Sequence, residues 1–137
     1  MTIRNRKPYG RSNRSGAVAV EFALTAPILF ALLLGSLELG HANMVLNTTE
    51  AACYEGARTG IIPGASVVEC EQAARAKLTT CKVRNAQITV TPNNLNTFTP
   101  TVTVRIIVPY SNNAITVPFF TRSLVIQREC TLTRERA

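Results

Sequence analysis

The chain has no aspartate and no tryptophan, and His41 is its single histidine. Serine, cysteine and glutamate remain as side chains that could do chemistry, but no nucleophile, base and orienting group occur at a convincing spacing. The four cysteines form no Cys-x-x-Cys motif, and with one histidine a zinc site is not expected. The sequence therefore predicts a protein that is not an enzyme and that uses no metal and no other cofactor.

Acidic residues are also missing from residues 1–16, which carry five of the fifteen lysines and arginines. Without this leader the net charge of the chain falls from +7 to +2. The basic character therefore belongs mainly to one short segment, and we expect no nucleic-acid partner. A basic flank beside a membrane span instead holds the N-terminus in the cytoplasm. We interpret residues 1–16 as a basic cytoplasmic leader.

Charge is almost absent from the next segment, which runs from Ala17 to Leu37 with Glu21 as its one ionisable residue. These 21 residues match the length of about 20 that an α-helix needs to cross a bilayer. A removed secretory signal is the alternative, but the run is too long and no clear Ala-x-Ala cleavage site follows it. The sequence predicts a retained transmembrane helix over residues 17–40, with a kink at Pro27. The lipid bilayer is then a partner of this helix.

Residues 41–137 predict an extracytoplasmic domain of the α+β class. The first helix is expected to continue to Gly60, and a capping box from Ser66 to Glu69 starts a second helix. Further along, apolar and polar residues alternate with a period of two, as they do in strands. The alternating apolar positions are Ala86, Ile88 and Val90, then Val102, Val104, Ile106 and Val108, then Leu124, Ile126, Cys130 and Leu132. This pattern predicts a small antiparallel sheet that buries one face against the helices.

The number of strands in this sheet stays open between three and four. A short edge strand would begin near Ala114. The apolar residues Val117, Phe119 and Phe120 would then cover one end of the sheet.

Four cysteines lie in the predicted extracytoplasmic domain, where disulfides persist. They are Cys53, Cys70, Cys81 and Cys130, which allow two bridges in three connectivities. A bridge from Cys70 to Cys81 requires the second helix to end near Leu78. Eleven helical residues span about 16 Å, whereas a disulfide needs Cα atoms within about 7 Å. Pairings with Cys53 and Cys130 are equally open.

A long N-terminal helix ahead of a small β-domain, with a glutamate five residues after a glycine, resembles the TadE-like pseudopilins of tight-adherence (Flp) pilus systems. The residues that carry this resemblance are Gly16, Glu21-Phe22, Pro27, Gly35, Glu38-x-Gly40 and Glu55-Gly56-Ala57-Arg58. His41 departs from the pattern, because the family often has an arginine there. A permanent charge is thereby lost at the outer membrane boundary.

The resemblance implies that a prepilin peptidase cuts between Gly16 and Ala17 on the cytoplasmic side, which makes Glu21 the fifth residue of the mature chain. It also implies that Glu21 attracts the free N-terminal amine of a neighbouring pilin-like subunit. A carboxylate inside a membrane needs such a partner. The alternative is that Glu21 lies at headgroup depth, solvated by water and unpaired.

The function implied is that of a minor pilin or assembly component in a bacterial inner membrane, with other pilin-like subunits and the tight-adherence machinery as partners. Whether it enters a filament or stays in the membrane is left open, as is the binding surface of the β-domain. The alternative is an unprocessed single-span protein whose extracytoplasmic domain binds an envelope partner.

Overall fold

The computed structural model describes residues 12–96, 99–115 and 120–134. Over these residues the elements are α1 (Ser12–Gly60), α2 (Val67–Thr80), β1 (Gln87–Thr91), β2 (Thr101–Pro109), a 3-10 turn (Tyr110–Asn112) and β3 (Val125–Thr133). The predicted α+β class with a long N-terminal helix is confirmed. The chain divides into two compact units, one ending at Ser36 and the other beginning at Leu37.

The first unit contains the N-terminal part of α1, which begins at Ser12 and therefore includes the last residues of the predicted leader. Its large apolar side chains are exposed, and examples are Val20, Phe22, Leu24, Leu32 and Leu34. None of the residues in its most apolar stretch is buried. Among the described residues, α1 is the one helix long and apolar enough to cross a membrane. Pro27 lies inside α1 and does not end it.

The second unit is built on an antiparallel sheet with the strand order β1-β2-β3. On its inner face, Val102, Val104, Ile106 and Val108 of β2 are fully buried. The outer face is polar, with Arg105 opposite Glu129 and the hydroxyls of Thr103 and Thr131 2.8 Å apart. The alternation read from the sequence therefore separates a core face from a solvent face.

Three strands are present in the part of the chain that the structure describes. The fourth strand was predicted to begin near Ala114, but Ala114 and Ile115 are not in a strand. Residues 116–119, which include Val117 and Phe119, lie outside the described residues. Leu124 lies directly before β3 rather than in it, and its side chain is 40% exposed.

The two helices cover the inner face through small side chains. α1 contributes Ala42, Val45, Ala52, Cys53 and Ala57 to the core, and α2 contributes Cys70, Ala74 and Leu78. At Gly60, an added Cβ would lie 2.9 Å from both the Cys70 Sγ and a Val102 methyl carbon. Gly60 is therefore a point of close contact between α1, α2 and β2. The predicted capping box is present, with Glu69 N donating to Ser66 Oγ at 3.3 Å and Ser66 N donating to Glu69 Oε2 at 2.8 Å.

Arg134 connects two loops of the second unit near the C-terminal end of α1. Its guanidinium is buried and donates to the carbonyl oxygens of Asn96 at 2.7 Å and Ile62 at 3.2 Å. Its backbone N–H donates to Pro100 O at 2.9 Å. The loop after α1 is thereby joined to the loop between β1 and β2.

Candidate functional site

The residues predicted for processing and assembly lie together on the first unit. Gly16, Ala17, Glu21 and Phe22 follow one another along α1, and all four are exposed. A Cβ added at Gly16 would meet no atom within 4 Å. Phe22 is 68% exposed. Their surfaces are therefore open to another molecule.

Glu38 is different, because its side chain is buried although it follows the apolar run directly. Its carboxylate accepts the N–H of Phe120 at 3.2 and 3.3 Å and the N–H of Thr121 at 2.8 Å. It also accepts a hydrogen bond from the Thr121 hydroxyl. These donors belong to the segment between β2 and β3, more than 80 residues away along the chain. A buried carboxylate is tolerated when several donors replace its water.

Tyr110 extends this network toward His41. Its hydroxyl donates to Glu38 O at 3.1 Å and lies 3.1 Å from His41 Nδ1. Because the hydroxyl proton is used on the carbonyl, Nδ1 of His41 is the donor of the second bond. Burial, together with the Glu38 charge, raises the pKa of Tyr110. The phenol therefore stays protonated as a donor in neutral solution.

The Glu38 clamp, by which we mean Glu38, His41, Tyr110 and Thr121, connects the start of the second unit's helix to the segment that follows β2. Each of its four side chains makes a hydrogen bond, and none of the four is an activated nucleophile. Its chemistry is that of a structural joint. Gly40, the other half of the Glu38-x-Gly40 motif, has open space where a Cβ would stand. Pro27 and Gly35 lie on α1 within the first unit.

Sequence reasoning found Glu38 as a motif residue but not as part of a clamp. Thr121 and Tyr110 had no signal of their own in the sequence. In the sequence, His41 stood out only as a departure from the family pattern. In the structure it forms a hydrogen bond with the Tyr110 hydroxyl, and an arginine at this position would have to form that bond through a longer, charged side chain.

The predicted disulfides are not formed, because all four cysteines are free thiols. Cys53 and Cys70 are buried in the core, and Cys81 and Cys130 are half-buried. The helix α2 continues to Thr80, so it does not end early enough to bring Cys70 to Cys81. The Cys53 thiol donates to Arg128 O at 3.3 Å, and burial raises its pKa to about 12. The thiols act here as small apolar side chains.

Residues 16–58 match the family model described as TadE-like protein. This segment is similar to TadE-like proteins. The match begins at the predicted processing residue Gly16 and includes Glu21 and Glu38, so it confirms the resemblance seen in the sequence. The TadE-like segment indicates a membrane component associated with tight-adherence pili, and the apolar part of α1 is compatible with single-pass anchoring. No curated protein and no solved structure matches the chain.

Proposed function

We propose that this chain is a minor pilin-like subunit of a tight-adherence pilus, matured by a prepilin peptidase between Gly16 and Ala17. The observation that carries the proposal is the start of the TadE-like match at Gly16, with Glu21 five residues later on an exposed apolar helix. The N-terminus lies in the cytoplasm before cleavage, and the domain from residue 41 onward lies outside the inner membrane.

Maturation gives Glu21 its partner. Cleavage creates a free amine at Ala17, and the Glu21 carboxylate then attracts the corresponding amine of a neighbouring subunit. In a medium of low dielectric constant the pair fixes the register between helices, even where its net energy is small. Phe22 and the exposed leucines of the same segment supply the apolar contacts around this pair.

The remainder of the chain has a structural role and no catalytic one. The Glu38 clamp holds the segment after β2 against the helix directly beyond the membrane span. The clamp lies wholly within the second unit and stabilises that domain. In this role the partners of the chain are other pilin-like subunits and the tight-adherence machinery.

The N-terminus of the protein purified from its native membrane tests the proposal directly. Intact mass and terminal sequencing should show a chain that starts at Ala17. A chain that still carries residues 1–16 would contradict the proposal and support the unprocessed single-span protein. A start near Ala42 would identify a secreted protein and would overturn both readings.

A further inference from the structure

Three exposed apolar side chains lie near residues 38–42 of α1, within the second unit. They are Ile115, Phe120 and Leu124, with exposed fractions of 76%, 62% and 40%, and we refer to them as the apolar rim. Soluble domains seldom expose large apolar side chains together, and such groups mark interaction surfaces.

One hydrogen bond and two shared grooves indicate where the rim lies. The Phe120 N–H donates to the Glu38 carboxylate at 3.2 Å. Ile115 lines a groove with His41, and Leu124 lines another groove with Ala42. The Leu124 carbonyl accepts from Tyr110 N at 3.0 Å, next to the clamp. All three rim residues therefore stand beside residues 38–42 of α1.

The depth of this helical turn follows from the sequence. The apolar run from Ala17 to Leu37 is long enough, at about 1.5 Å per residue, to cross the hydrocarbon core of about 30 Å. Glu38 is the next residue, so it stands where the hydrocarbon ends and the headgroups begin. Groups beside residues 38–42 therefore lie close to the same level.

Positive charge accompanies the rim. Lys82 and Arg84 line the same groove as His41 and Ile115, and the exposed Arg122 follows Phe120 by two residues. Among the described residues that line the two grooves there is no carboxylate. Apolar tips among cations are typical of surfaces that bind anionic lipid headgroups.

We propose that the apolar rim inserts into the headgroup interface of the outer leaflet, with Lys82, Arg84 and Arg122 facing anionic lipids. The bilayer is the occupant because the rim adjoins the end of the membrane span, where lipid already surrounds the chain. The domain thus has a second attachment to the membrane beside α1, and its orientation on the bilayer is fixed. The inference rests on anchoring by α1 and does not require processing or pilus assembly.

The absence of tryptophan from the chain allows a direct depth measurement. The full-length Phe120→Trp variant is reconstituted at one chain per nanodisc of phosphatidylcholine and phosphatidylglycerol. Its emission is recorded with lipids that are spin-labelled at the headgroup or at a shallow acyl carbon. The replacement leaves the backbone N–H that binds Glu38 unchanged. The matched control is Tyr54→Trp, an exposed position about 24 Å further along α1 than Glu38.

We expect the spin-labelled lipids to quench most of the tryptophan emission of Phe120→Trp. Its emission maximum should also lie at shorter wavelength than that of Tyr54→Trp, which should show little quenching. Ile115→Trp should behave like Phe120→Trp, which keeps the test valid if one variant does not fold. Equal, weak quenching of all three variants would overturn the proposal. So would a shift to shorter wavelength that appears only when several chains share a bilayer, because the rim would then bind a second copy.

Discussion

The Glu38 carboxylate joins residues that are more than 80 positions apart, and it does so with charge-assisted hydrogen bonds. Replacing Glu38 with Gln keeps the shape but removes the charge and turns one acceptor into a donor that faces N–H groups. Bonds to charged groups contribute about 1.5–3 kcal/mol each. We expect the free energy of unfolding of Glu38→Gln to fall by about 2–3 kcal/mol, measured by denaturation of the full chain in detergent.

Glu50→Gln is the matched control, because Glu50 lies on the same helix and makes one exposed ion pair with Arg128 at 3.6 Å. Exposed pairs contribute about 0–1 kcal/mol. Equal losses in the two variants would show that the Glu38 bonds add nothing beyond an ordinary surface charge.

The thiols allow a second test at the residue scale. Protein unfolded without a reductant should take up one maleimide on each of its four cysteines, because all four are free. Intact mass measures the number of adducts. In the folded protein, Cys53 and Cys70 should react last because they are buried. Fewer adducts after unfolding would mean that the native protein contains disulfides and that the free-thiol arrangement is wrong.

The same thiols make stability depend on alkaline pH. Burial raises the pKa of Cys53 from 9.0 to about 12. Below pH 9.0 the thiol is protonated in both states and its contribution is complete. As the pH rises toward about 12, the unfolded chain loses its proton first, so the contribution is lost. The free energy of unfolding should fall over this window, and less steeply in Cys53→Ala.

Among the secondary-structure elements, those with a local sequence signal could be predicted. The capping box from Ser66 to Glu69 predicted the start of α2, and the alternation around Val102 and Val104 predicted β2, because each signal lies within a few residues. The bonds from Glu38 to Thr121 and from Arg134 to Ile62 had no such signal. They depend on how distant segments meet, and one sequence does not encode that in any local pattern.

Two glycines on α1 look alike in sequence and differ in structure. A Cβ on Gly60 would stand 2.9 Å from Cys70 Sγ and Val102, whereas a Cβ on Gly40 would meet no atom within 4 Å. Gly60→Ala should lower the free energy of unfolding by about 1–3 kcal/mol through overpacking. Gly40→Ala should raise it by about 0.5–1 kcal/mol through helix propensity. Both values are measured by denaturation. If the free energy of unfolding changes in the same direction in both variants, the close contact at Gly60 is not supported.

At the scale of the whole molecule, the TadE-like match covers α1 up to Arg58 and leaves the sheet outside it. Gly16 stands at the first matched position, with no neighbour that a side chain would strike. We therefore expect Gly16→Leu to insert and fold normally but to keep its leader, because a peptidase needs close access to the backbone there. Membrane fractionation and intact mass measure the two properties. The control is Ser12→Leu, which adds the same bulk one helical turn earlier and should be cleaved normally. If Gly16→Leu is also cleaved normally, the cleavage site is not at Gly16.

A substitution at Glu21 should distinguish processing of the chain from assembly of the mature chain. Glu21→Ala should be cleaved as usual, since the cut lies four residues away, and should then fail to join neighbouring subunits because their N-terminal amines lose a partner. Crosslinking between copies in the native membrane, together with recovery of the protein in sheared pilus fractions, measures this step. Thr25→Ala is the control, because its hydroxyl donates to the carbonyl oxygens of Glu21 and Phe22 within α1. If Glu21→Ala assembles as well as Thr25→Ala, the carboxylate is a solvated group at the membrane edge, and subunit contacts must come from the apolar face alone.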